Sequence, residues 1–510
     1  MNDKIFNRNH SMLSGLIFAG ISAVYLLLFS AYTSPLFSDF VEYDSAIFMM
    51  VAKSVLSGKR LFIDIFDHKG PVFFLFEIIG MAGGRTGLYL LQTVFLWADL
   101  WLIDRMTGVF LDETAGGRPG ASCGTGRSTR MVVIGLTLLF LAYPLSNGNL
   151  TEEYSLPFIL LSLYLFVKDI LTTEEPRLRH SYVYGICLGI LMFIRLNNAV
   201  TICAMILFWM IVLVGERKWK LLLSHLGIGF LGVASVSIPV FLYFWGAGSL
   251  REMIYATFLF NFRYGSEGGF LYRLDSLNTW AHLIILYSPL VLALLVFGSR
   301  IRSRRLKTAL ILVVVLNMIT MLFGQGYNHY FTIMVPLEAL MCAAFLSGLR
   351  EKEHNEKAVR SRVVSLAVRV GFAGVTAGYA VLAARIIVLN VKDYYVDDAF
   401  RTKYETVQDC LSDIPEEERG SVLGYSVPAE YYLFGDLVPC YRYAILQENW
   451  GSVDAKITED MLQFLSEGKA RWIVTLPNGY DSREVAAILE RDYELVNENE
   501  YCILYRRNTE

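Results

Sequence analysis

The chain has 510 residues, 55% of them hydrophobic and only 18% charged, with a net charge of −3. A soluble domain carries about a quarter charged residues and a nucleic-acid binder carries a basic excess, so the sequence fits neither class. The apolar residues gather in long runs, and the chain reads as a polytopic α-helical membrane protein whose first partner is the lipid bilayer.

The first run, Met12 to Ala31, is long enough to span a bilayer and lacks a small-x-small cleavage site, so it reads as an anchor and first helix. Further predicted spans cover 87–110, 131–147, 153–171, 182–196, 198–214, 221–246, 279–298, 307–324, 331–349 and 363–390. Basic residues mark the loops expected in the cytoplasm. They are Lys4 and Arg8, then Arg118, Arg127 and Arg130, then Arg177 and Arg179, then Arg217, Lys218 and Lys220. Arg300, Arg302, Arg304, Arg305 and Lys307 follow the eighth span, and Arg350, Lys352, Lys357, Arg360 and Arg362 follow the tenth. These loops share one side only if residues 71–84 do not cross. That run is short for a span and contains Glu77 and three glycines, so it reads as a juxtamembrane or re-entrant segment. The expectation is about eleven spans in the cell membrane, with the N-terminus cytoplasmic and the C-terminus outside.

Residues 32–70, 247–278 and the tail then face outward. Residues 1–390 form the expected membrane domain, and 391–510 a small extracytoplasmic α/β domain. In that tail "GSVLGY" and "RWIVTL" read as strands, "DSREVAAILERDY" as an amphipathic helix and "YELVNENEYCILYRR" as a closing hairpin. Cys410, Cys440 and Cys502 fall there. An oxidising exterior allows one disulfide among the three, and the sequence does not identify the pair.

The first outer loop reads "SDFVEYDSAIFMMVAKSVLSGKRLFIDIFDHKGP". Ile47, Phe48, Val51, Ala52, Val55 and Leu56 recur at helical spacing, which predicts a helix lying in the membrane interface, apolar face down. Asp44 stands at its start, where a carboxylate caps a helix. Asp64, Asp67, His68 and Lys69 bring charge to the edge of the next apolar segment, where an ion is costly unless paired.

This loop resembles that of the GT-C membrane glycosyltransferases, closest to the bacterial protein O-mannosyltransferase and aminoarabinose transferase group. The matching residues are Asp44, Gly58, Asp67, His68, Lys69, Gly70 and Pro71. Looser matches are "NLTEEYSLPF" (149–158), "FIRLNN" (193–198) and "GYNHYFTIMVP" (326–336). The resemblance implies the GT-C fold and transfer of a sugar from a polyprenyl-phosphate donor to an acceptor outside the cytoplasm. It implies that Asp44 activates or orients the acceptor hydroxyl, with Asp67 a second catalytic candidate. Lys69 would meet the donor phosphate, with Arg195 a second phosphate-binding candidate. Some members hold a divalent metal ion near the phosphate; Asp67 and His68 are its candidate ligands here, although many members carry a different residue at the position of His68.

Glu152, Glu153, His68, Tyr327 and His329 are candidates for the substrate cavity. All but His329 also have a plainer reading, which for His68 is a hydrogen-bonded interfacial histidine. The two glutamates favour a helix N-terminus, and the tyrosine suits an aromatic belt. Arg195 interrupts an apolar run, and an intramembrane arginine is functional or paired by default. The alternative function is a transporter or flippase of lipid-linked sugars. Such proteins usually show inverted repeats and helices broken at the midplane, and the sequence contains no internal repeat.

Overall fold

The computed structural model describes residues 2–114, 123–173, 175–266, 277–322, 327–351, 359–477 and 482–508. Arg118, Lys352, Lys357 and Gly326, and residues 267–276 of the second region expected to face outward, lie outside them. The helices of the first half are α1 (Asn2–Phe29), α2 (Tyr43–Leu56), α3 (Pro71–Met81), α4 (Gly84–Thr114), α5 (Cys123–Ala142), α6 (Thr151–Thr172), α7 (Leu178–Met192), α8 (Val200–Gly215) and α9 (Trp219–Gly246). Then come α10 (Leu250–Ile254), α11 (Asn261–Ser266), α12 (Leu277–Arg300), α13 (Arg304–Met321), α14 (Val335–Glu351) and α15 (Val359–Tyr395). The C-terminal part runs α16 (Ala399–Ser412), β1 (Val422–Gly424), α17 (Glu430–Phe434), α18 (Gln447–Val453), α19 (Ala455–Ser466), β2 (Trp472–Thr475), α20 (Arg483–Asp492), β3 (Tyr493–Glu498) and β4 (Ile503–Arg507).

Among the described residues, each segment expected to span contains a helix, some ending short of the expected bounds. Seven of the described helical segments are long and apolar enough to cross a membrane, and the chain is a multi-pass membrane protein. Helix α3 has 11 residues, about 16 Å at 1.5 Å per residue, roughly half the hydrocarbon thickness of a bilayer. Pro71 opens it at a position where a missing N–H costs nothing, and Gly70 precedes it in extended conformation.

The chain divides into two compact units. The first comprises Met1–Phe29, Gln92–Leu242 and Gly268–Ile387. Helix α14 packs against α5 and α12, α8 against α13, and α6 against α7. Helices α7 and α9 cross at glycines. A Cβ on Gly185 would strike the Gly229 carbonyl, and one on Gly232 the Tyr182 carbonyl. Lipid supplies no hydrophobic drive between helices, so such close backbone approach is a main source of their adhesion. Much of α9 and α15 turns apolar side chains outward, among them Phe230, Leu242, Leu366, Val370 and Val381.

The second unit comprises Ser30–Leu91, Tyr243–Glu267 and Val388–Glu510. Its four-stranded sheet has the order β1-β2-β4-β3. Strands β1 and β2 are parallel, and the other neighbours antiparallel. The two strands, the helix and the closing hairpin read from the tail sequence are all present. Helix α2 is enclosed rather than laid on an interface. Ser45, Ala46, Phe48 through Ala52 and Ser54 are buried, and α3 and α17 pack against it. A run of five consecutive buried residues leaves no polar face, so protein covers the helix on several sides. Asp44 is not its cap either: Glu42 holds the N-cap position and Asp44 the first turn. Glu42 lies 3.6 Å from the Lys403 ammonium, which also pairs with Glu430 at 2.9 Å.

Candidate active site

In the second unit the loop between α2 and α3 is built as a tight turn. Arg60 grips Asp64 with two guanidinium bonds of 2.9 Å and a backbone N–H of the same length. This pairing holds the Asp64 carboxyl below the usual carboxylate range. The Phe62 N–H donates to the Ile65 carbonyl at 2.8 Å, with Phe62 in the left-handed region at φ 68°. The turn delivers Phe66 into an aromatic socket of Tyr255, Phe260, Tyr443 and Trp450. Arg442 locks it there. Its carbonyl accepts the Phe66 N–H at 2.8 Å, and its guanidinium reaches the Phe62 carbonyl at 3.3 Å and lies over Tyr443.

The next three residues carry the charge. Asp67 is 2% exposed and accepts the Lys69 N–H at 2.7 Å. Burial pushes its carboxyl up; the Lys69 ammonium opposes that shift, and Asp44 lies near enough for its charge to add to it. Lys69 is 8% exposed. Its ammonium bonds His68 Nε2 at 2.9 Å and sits 5.3 Å from the Phe48 ring centre. An ammonium only donates, so Nε2 accepts and the imidazole proton belongs on Nδ1. The His68 ring packs beside Phe260 and Tyr264, and Asn261 Nδ2 donates to its carbonyl at 2.7 Å. Asp44 stands apart from these bonds, half-buried in the first turn of α2.

His68 Nε2 is engaged by Lys69 and Asp67 by the backbone. Among the described residues no group of three or more His, Cys, Asp or Glu side chains is arranged to hold an ion.

In the first unit a second cluster surrounds Arg195. Helix α7 stops at Met192, and Arg195 has extended backbone before the short turn Leu196–Ala199. Its guanidinium donates to Glu152 Oε1 at 2.5 Å and lies 4.1 Å from the Tyr330 ring centre. Thr151 Oγ1 donates to the other Glu152 oxygen at 2.9 Å. The break in the helix is tied to α6 by Asn198 Nδ2, which donates to Ser155 Oγ at 2.9 Å. His329 meets Tyr330 edge-on at 4.7 Å and stacks on Tyr327 at 5.5 Å. Arg195, Glu152, Tyr327 and His329 therefore belong to one neighbourhood.

Glu153 turns elsewhere. One oxygen accepts the Leu150 N–H at 2.9 Å, closing the first turn of α6, and the other accepts Gln92 Nε2 at 2.9 Å. With Gln92, Asp99 and Tyr154 it lines a small cavity of the bundle. Asn149, which begins a formal glycosylation sequon, is fully buried and accepts the Tyr154 hydroxyl at 2.9 Å.

Three features escaped sequence reading. Tyr330 was legible as an interfacial aromatic, but its stacking on Arg195 was not. Arg442 and Trp450 lie far along the chain from the loop they hold. Arg85 bonds the carbonyls of Tyr32, Phe37 and Phe40 at 2.7–3.1 Å and so fixes the segment that leads into α2. An arginine amid "AGGRTG" was the signal available.

Helical bundle, short α3 and small α/β domain together define a polytopic membrane protein of the GT-C fold. Among solved structures, the chain is similar to ArnT from Cupriavidus metallidurans bound to undecaprenyl phosphate. The TM-score is 0.59 at 11% identity, covering 96% of this chain and 97% of that one. The apo form of the same ArnT gives 0.58 at 12% identity with the same coverage. No protein-family model and no curated protein sequence matches the chain.

Proposed function

We propose that the chain is an integral membrane glycosyltransferase that moves a sugar from a polyprenyl-phosphate donor to an acceptor outside the cytoplasm, in the cell envelope. The carrying observation is the fold likeness, along 96% of the chain, to a protein bound to undecaprenyl phosphate. The Asp44, Asp67, His68, Lys69 loop supports it. In this reading the acceptor hydroxyl loses its proton to Asp44 as its oxygen attacks the anomeric carbon. The bond from that carbon to the phosphate oxygen breaks, and the polyprenyl phosphate leaves with the electron pair. Lys69 offsets the charge on that phosphate. Asp67, bonded to the Lys69 backbone, orients the lysine. Arg195 is a further phosphate-binding group, with Glu152 and Tyr330 holding its guanidinium. Residues 1–390 would be the membrane-embedded catalytic part and 391–510 an outer domain.

Purified protein in detergent, given a polyprenyl-phosphate sugar and envelope extract, should consume the donor and release polyprenyl phosphate. Translocation between two compartments with the donor intact would instead identify a flippase.

The orientation has its own test. Reporters fused after residues 125 and 310 should read as cytoplasmic and one after 400 as external, because the basic loops share a side. An external signal at 125 would overturn the eleven-span arrangement.

A further inference from the structure

The second unit holds three of the cysteines, and two of them meet. Cys410 lies in the last full turn of α16, and Cys502 immediately precedes β4. Both are 0% exposed, and α16, which carries the first, packs against β4, which the second precedes; the two thiols lie near enough for their charges to couple. The contact is held on both flanks. Asn499 Oδ1 accepts the N–H groups of Tyr501 and Cys502, each at 3.0 Å. The same side chain donates through Nδ2 to the Thr406 carbonyl at 2.9 Å, one helical turn before Cys410. Tyr431 Oη donates to the Tyr501 carbonyl at 2.9 Å. The turn that carries Cys502 is therefore pinned to the helix that carries Cys410. Cys440 is only half-buried and follows β1 in the chain.

A buried thiol pair in a cytoplasmic domain is simply two small apolar groups. The same pair folding in an oxidising compartment has a different fate. We propose that Cys410 and Cys502 are joined by a disulfide in the mature protein. The inference rests on the reading that residues 391–510 face the exterior. Two S–H bonds are lost and one S–S bond forms. Two protons leave, and two electrons reduce the disulfide of an extracytoplasmic thiol–disulfide oxidoreductase to its dithiol. Because both sulfurs end fully buried, the exchange precedes closure of the domain. The bond ties the domain's first helix to its last strand across a loop of about 90 residues, the long-loop case in which a cross-link most restricts the unfolded chain.

The test counts thiols after denaturation, so variant stability does not affect the reading. The chain has seven cysteines. With the disulfide, the purified protein alkylated without reductant shows five reactive thiols, and Cys410→Ser raises the count to six by freeing Cys502. Without it, the parent shows seven and Cys410→Ser lowers the count to six. On the parent alone, a protease-derived peptide pair joining Cys410 to Cys502 should vanish on reduction. Seven thiols, or a pair involving Cys440, overturns the inference. The reporter after residue 400 separates the causes. Free thiols with an external reporter refute the pairing alone, whereas free thiols with a cytoplasmic reporter refute the orientation as well.

Discussion

Asp44→Asn should leave a folded protein that binds donor and turns over about 10²–10⁴-fold more slowly, the usual worth of a general base. The substitution keeps size and most polar contacts while removing the ability to accept a proton at neutral pH. Stability separates this from a structural role. Loss of an N-cap costs about 1 kcal/mol, but Asp44 lies in the first turn of α2, and the N-cap position is held by Glu42, which makes no side-chain cap bond. The melting temperature should therefore hardly move. Turnover within a few-fold of the parent would remove Asp44 as the base and transfer the role to Asp67 or Glu152. A fall in melting temperature matching the fall in activity would make Asp44 structural. The measurement is steady-state turnover and thermal unfolding on the same detergent preparation.

Lys69→Ala should weaken donor binding by about 30- to 5,000-fold, the 2–5 kcal/mol lost when one member of a buried charge pair is removed. The variant carries a confounding cost. Lys69 offsets the burial of Asp67, so its loss leaves a buried carboxylate uncompensated and lowers stability too. The double variant Asp67→Asn/Lys69→Met removes both charges and relieves that cost. If Lys69 serves the donor phosphate, the double variant recovers stability but not affinity. If the pair only shapes the turn at Gly70, it recovers both. Donor affinity unchanged in Lys69→Ala would rule out the phosphate role outright.

The apolar runs were legible because helical length and hydropathy are properties of one contiguous segment. Among the described residues each expected span contains a helix, α3 has only 11 residues, and the strands of the tail lie where the sequence placed them. The edges were less legible. Asp44 reads as a cap because an acidic residue before an apolar run usually is one, yet the helix begins one residue earlier, with Glu42 in the N-cap position and its carboxylate by Lys403 rather than on the helix. The face-down reading of α2 failed for a related reason. Its apolar periodicity reports that something apolar covers it, and only packing decides whether that is lipid or α3 and α17.

By itself the sequence determined a polytopic helical membrane protein, a charged loop ending in Lys-Gly-Pro and a small mixed α/β tail, since each is written in the local order of residue types. Only the tertiary structure decided the partners: Arg195 with Glu152 and Tyr330, Phe66 with Arg442 and Trp450, and Cys410 with Cys502. These pairs lie tens to hundreds of residues apart, so no local period relates them. They meet because burying complementary surfaces fixes distant segments in register, and a buried charge or ring is tolerated only where that register supplies its partner.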